Sequence, residues 1–170
     1  MIELIGELLR NHRYKEAIPY LRSLRKSLLY QFKNCPTAED CHSLFNTYFW
    51  LAYSHFELAK KVPHRQNRRL VLAQTYLRKS LDYAYQNLSL SDNLQSQYNV
   101  NSLLGQITYT EATTLNKSQL THQLLNQAHQ YFEGLISLAE AIKECNNNQH
   151  TYTFNNLSTY YWLYQTFLAK

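Results

Sequence analysis

A small side chain, a large apolar one four residues later and a small or apolar one three further on recur three times in this chain: Ala17-Leu21-Leu24, Ala73-Leu77-Ser80 and Ala128-Phe132-Leu135. Offsets of four and three return to one side of a helix. The small residue lets two antiparallel helices approach closely, and the large one fills the space a turn away. The pattern therefore commits the chain to paired helices. Three Gly and three Pro in 170 residues leave little punctuation for short strands. A chain of this length can bury a sizeable core as one domain, and 45% hydrophobic content argues against disorder.

Apolar periodicity predicts seven helices and no strand, an all-α fold. The first, about residues 2–10, carries Leu4, Ile5, Leu8 and Leu9, and MIELIGELLR reads as a structured helix, not a signal peptide. The second starts near Arg13, with a bend or late start expected at Pro19. Thr37, followed by Glu39 and Asp40, is a suitable N-cap for the third. That helix carries Leu44, Tyr48, Leu51, Ala52, His55 and Ala59, thickened by Phe45, Phe49, Trp50, Tyr53 and Phe56. It ends at Val62-Pro63, before a basic link from Lys61 to Arg68. The fourth presents Leu70, Ala73, Leu77, Leu81, Ala84 and Leu88; Ser89 to Asn93 is a polar break with Ser91 as the expected cap. The fifth runs from about Asp92 to Leu115, and Asn116-Lys117-Ser118 separates it from the sixth, marked by Leu120, Leu124, Ala128, Phe132, Leu135, Ala139 and Ile142. After a polar gap at Asn146–His150, the seventh carries Phe154, Leu157, Tyr161, Trp162, Tyr164 and Phe167. These helices group as hairpins over about 1–33, 37–88 and 91–145, with a capping helix over about 151–169, in a single domain.

The triplets, and the run Tyr14-Lys15-Glu16-Ala17-Ile18 in particular, resemble the second helix of a tetratricopeptide repeat. Leu104-Gly105 is similar to the Leu-Gly pair of that family's first helices, and Leu51-Ala52 is similar with Ala in place of Gly. The Ala positions lie 56 and 55 residues apart, against a family period of about 34, so the second and third hairpins need long helices. A plain helical bundle is the alternative arrangement. The resemblance implies a stacked helical array whose first helices line a groove. The matching positions are Asn46, Phe49 and Tyr53, then Asn99, Ser102, Gln106 and Tyr109. Aromatic and amide side chains of this kind suit an extended or helical peptide, through stacking and backbone hydrogen bonds. The basic residues with which some members grip a terminal carboxylate are missing from those positions.

Charge is unevenly spread. Residues 1–82 hold 14 Lys/Arg against 7 Asp/Glu, a net +7, and residues 83–170 hold 3 against 5, a net −2. Lys60, Lys61, Arg65, Arg68, Arg69, Arg78 and Lys79 form a run with no acid among them, which with His64 could meet phosphates or an acidic partner. Three Cys without CxxC spacing point to neither disulfides nor zinc and suit a reducing cytoplasm. Glu39-x-x-His42 has the spacing of a carboxylate-bridged metal ligand pair, but a second such pair is missing. No phosphate-cradling Gly loop or nucleophile elbow is present. No stretch approaches the ~20 apolar residues of a membrane span. The expectation is a cytoplasmic, non-enzymatic adaptor, regulator or small chaperone that uses no cofactor or metal and binds a peptide segment in a helical groove. The alternative is a nucleic-acid-associated or acidic-partner-binding protein using the basic run. The aromatic seventh helix could also cover a second copy.

Overall fold

The structure, a computed structural model, describes residues 1–34, 36–62, 66–87, 89–114, 119–145 and 156–169. Among them the fold is all-α: α1 (Ile2–Arg10), α2 (Tyr14–Asn34), α3 (Ala38–Lys61), α4 (Gln66–Asn87), α5 (Leu90–Thr114), α6 (Gln119–Cys145) and α7 (Asn156–Ala169). No described helix is long and apolar enough to cross a membrane. Two compact units divide the chain, Met1–Leu88 and Ser89–Lys170. In the first, α1 packs on α2, α2 on α3 and α3 on α4; in the second, α6 packs on α5, and α7 packs on both.

The first unit begins with a tight helix-to-helix link. Arg13 N–H donates to the Leu8 carbonyl at 2.8 Å and His12 N–H to Leu9 at 3.1 Å, which satisfies two carbonyls at the end of α1. His12 occupies the left-handed position (φ 55°) that glycine usually takes in this turn, and its Nδ1 lies 2.8 Å from Tyr14 Oη. Ile5 and Leu8 face the core with Ala17, Ile18, Leu21 and Leu51. Leu4, expected in that stripe, is 41% exposed. α2 runs through Pro19, which sits on the exposed side, where the carbonyl left without its N–H partner can meet water.

Thr37 starts α3 with a capping box. Its Oγ1 accepts from Asp40 N–H at 3.1 Å, and its own N–H donates to Asp40 Oδ2 at 3.2 Å. α3 lies between α2 and α4 and is buried on most sides, with Leu44, Tyr48, Leu51, Ala52, His55, Phe56 and Ala59 inside. On α4, Ala73, Leu77 and Ser80 are all fully buried. Ser80 is accommodated there because its hydroxyl donates to the Leu77 carbonyl at 2.8 Å. The expected Pro63 helix stop and the core position Leu88 lie outside the described residues.

In the second unit the cap of α5 is Ser89, whose Oγ accepts from Asp92 N–H at 3.2 Å, two residues before the expected Ser91. Ala128, Phe132 and Leu135 of α6 form the core against Tyr98, Tyr109, Leu138, Trp162 and Leu163. Leu125, not the expected Leu124, is the buried residue of the preceding turn. The inner side of α7 is partly polar: Thr159 and Thr166 are buried, whereas Tyr161, Tyr164 and Phe167 are exposed. His129 Nδ1 sits 2.9 Å from Thr166 Oγ1, which in turn donates to the Leu163 carbonyl at 2.8 Å. The expected breaks at Asn116-Lys117-Ser118 and Asn146–His150, together with Leu115 and Phe154, lie outside the described residues.

Candidate functional site

A groove of about 380 Å³ opens in the first unit where α1 and α3 both flank α2. Its apolar walls are Ile2, Ile5 and Leu9 of α1 with Leu21, Leu24 and Leu28 of α2. α3 supplies the other side with Ser43, Asn46, Thr47 and Trp50. Gly6 of α1 also lines the groove. A Cβ built there would meet only Arg10 Nη1, at 3.6 Å, an ordinary contact.

The polar side of the groove is unevenly engaged. Thr47 Oγ1 donates to the Ser43 carbonyl at 2.8 Å, so its hydroxyl is spent within α3. Asn46 is half-buried, and among the described residues its amide has no hydrogen-bond partner. An amide carries two donors and an acceptor that can pair with a peptide backbone. Trp50, 38% exposed, stands at the edge. It connects edge-on to Phe49 (5.8 Å) and Tyr53 (5.7 Å), and Phe49 stacks on Phe45 at 6.1 Å. Asn46 thus lines the groove, while Phe49 and Tyr53 adjoin it through Trp50. Sequence periodicity assigned Trp50 to the core stripe; its offset of four from Asn46 is the signal that it shares the groove side.

Tyr53 is held from below. Its ring packs edge-on to Tyr14 at 5.7 Å, and burial, then Glu57 and Tyr14, push its hydroxyl pKa up to about 12. It stays neutral at ordinary pH.

The remaining groove candidates belong to the second unit. Asn99 Oδ1 accepts from Gln95 Nε2 at 3.2 Å, Gln106 is half-buried and its carbonyl accepts from Thr110 Oγ1 at 2.8 Å, and Ser102 is half-buried. Tyr109 packs edge-on to Trp162 at 5.4 Å and belongs to the core beneath α7. Its ring already has an intramolecular partner.

The basic run is dispersed over two helices. Lys60 pairs with Glu57 and lies 4.8 Å above the Phe56 ring. Lys61 stands 5.7 Å above Tyr14. Arg68, Arg78 and Lys79 share the exposed side of α4 with Val71 and Asp82, and Arg69 is half-buried. Arg65 and His64 lie outside the described residues. Among the described residues no group of three His, Cys, Asp or Glu side chains could hold a metal ion. Cys41 is buried and Cys145 exposed.

Comparison with protein-family models, with curated proteins and with solved structures gives no match.

Proposed function

We propose that this chain is a non-enzymatic interaction module, an adaptor, regulator or small chaperone, whose first unit holds a peptide segment of a partner protein in the groove between α1, α2 and α3. The observation that carries the reading is the pairing of an apolar trough with a half-buried Asn46 at its polar edge, whose amide has no hydrogen-bond partner among the described residues. The volume of about 380 Å³ falls at the lower end of the ~300–1,000 Å³ range of ligand clefts. It suits a few apolar side chains on one side of a short helix, in the mode where anchors at i, i+3, i+4 and i+7 enter a groove. Trp50 supplies a rigid aromatic contact of the kind that dominates binding energy at interfaces. The tetratricopeptide-like part of the reading rests on the triplet spacing in the sequence, and the cytoplasmic location on the cysteine pattern.

The test is selection of peptides of about four helical turns from a displayed library against the full chain. Binding is then followed by Trp fluorescence. Peptides with helical apolar spacing that bind the wild type and lose affinity in Asn46→Ala and Trp50→Ala support the reading. Selected peptides indifferent to both changes would place recognition elsewhere.

A further inference from the structure

The outward side of α7 is more apolar than parts of the side it turns to the core. Thr159 and Thr166 are buried, while Tyr160, Tyr161, Tyr164, Phe167 and Leu168 are each between 55% and 70% exposed. Steps of three and four residues from Tyr164 reach the other four, so the five share one stripe of the helix. From Asn156 to Ala169 the helix carries no Asp, Glu, Lys or Arg. Its orientation is fixed from within. Tyr98 of α5 meets Thr159, and His129 of α6 meets Thr166. Tyr161 is braced edge-on against Trp162 at 5.5 Å, and Trp162 stacks on the buried Phe132 at 5.8 Å.

The stripe is symmetric about its centre. Tyr160 and Tyr161 stand four and three residues before Tyr164, and Leu168 and Phe167 stand four and three after it. Turned end for end about Tyr164, the stripe meets itself, with Tyr160 opposite Leu168 and Tyr161 opposite Phe167. An isologous two-fold interface requires this kind of self-match. Large aromatic side chains present about 150–250 Å² each, so the five expose on the order of 600 Å² per copy. Two copies together would cover about 1,200 Å², the lower bound for a specific, stable interface. Aromatic enrichment and depletion of charge also mark the core of such interfaces. A lipid surface is disfavoured, because helices that lie on membranes carry Lys and Arg on the polar side. A charged partner would find no complementary group on α7. We propose that α7 is a homodimer interface, in which two copies of this chain pack antiparallel through the stripe with Tyr164 on the two-fold axis. The stripe belongs to the second unit and is separate from the peptide groove.

The test is sedimentation equilibrium of the full chain over about 1–100 μM, a range that brackets the weak end of interfaces of this size. The mass is expected to rise from that of one chain to that of two and to stop there. Tyr164→Lys sets two like charges against each other on the axis and should weaken the dimer at least about tenfold. Tyr160→Lys and Leu168→Glu should each weaken it about tenfold as well. Combined in one chain they should restore much of the loss, because each Lys then faces the partner's Glu, whereas eight residues along one helix keep them apart within a chain. All of these positions are exposed, and an unchanged helical circular dichroism spectrum confirms that each variant is folded. A monomer throughout the range would overturn the proposal, as would assembly beyond two copies. So would a wild-type dimer that persists undiminished in folded Tyr164→Lys, or a double variant no tighter than its single parents.

Discussion

The α3–α4 hairpin of the first unit and the α5–α6 hairpin of the second solve one packing problem with different residue pairs. Where α3 has Leu51-Ala52, α5 has Leu104-Gly105, and where α4 has Ala73-Leu77, α6 has Ala128-Phe132. All eight are buried. In the second unit the larger side chain faces the smaller: a Cβ at Gly105 would stand 2.6 Å from Phe132 Cε1 and Cζ, too close for a real contact. Phe132 cannot readily withdraw, because it is fully buried and stacked on Trp162 at 5.8 Å. Gly105 is therefore tied to the volume of Phe132. The units also differ in electrostatics: the first carries a net +7 and a buried His55, the second a net −2 and a half-buried His129.

The largest expected effect on this comparison is loss of the aromatic member. Phe132→Ala should cost about 3–5 kcal/mol in chemical denaturation, more than Leu77→Ala, which should cost about 2–5 kcal/mol. Equal costs would mean that the two positions carry the same packing load.

The second effect is pH dependence confined to the first unit. His55 has a folded pKa near 4 against an ordinary 6.5, so the unfolded chain binds more protons between those values. Stability should fall as pH drops from about 6.5 to about 4, by up to about 3 kcal/mol from this group. Arg22 of α2 and Arg69 of α4 act on it electrostatically, and Tyr76 of α4 stacks on it. Hydrogen exchange of α3 amides, corrected for intrinsic rates, should accelerate across that range, and His55→Gln should flatten the dependence. An unchanged dependence in that variant would remove His55 as its source.

Glycine replacement gives the sharpest contrast at smaller size. Gly105→Ala gains about 1 kcal/mol of helix propensity but meets overpacking of about 1–3 kcal/mol, so net destabilisation is expected. Adding Phe132→Leu relieves the contact with residue 105 and should recover part of the loss, a coupling visible in a double-mutant cycle. Gly134→Ala, where a Cβ meets nothing within 4 Å, should instead raise stability by up to about 1 kcal/mol. Strict additivity of Gly105→Ala and Phe132→Leu would break the argument from volume.

Much of the helical frame is legible in the sequence because it depends on local chemistry. The Thr37–Asp40 cap and the three Ala positions follow from side chains acting within a few residues of themselves. The misread positions depend on what lies opposite. Leu124 and Leu125 are adjacent Leu residues, and only the placement of α5 selects the second. The inward Thr159 and Thr166 of α7 are tolerated because Tyr98 and His129 offer them partners 61 and 37 residues away. Asn46 was readable as a groove position only through the tetratricopeptide-like resemblance. The groove itself was not, since Gly6, Leu9 and Leu24 become one surface only when α1 and α3 flank α2.

Gly6 also provides the most direct measurement. A peptide selected on the wild-type chain is titrated against Gly6→Leu, which adds a large side chain at a groove-lining position where a Cβ would meet only Arg10 Nη1, at 3.6 Å. Leu is the better helix former by roughly 0.8 kcal/mol, so the variant should be at least as stable as the wild type. Affinity for the peptide should fall at least about tenfold, a change of about 1.4 kcal/mol. A folded Gly6→Leu protein that binds the peptide as tightly as the wild type would contradict the assignment of recognition to this groove.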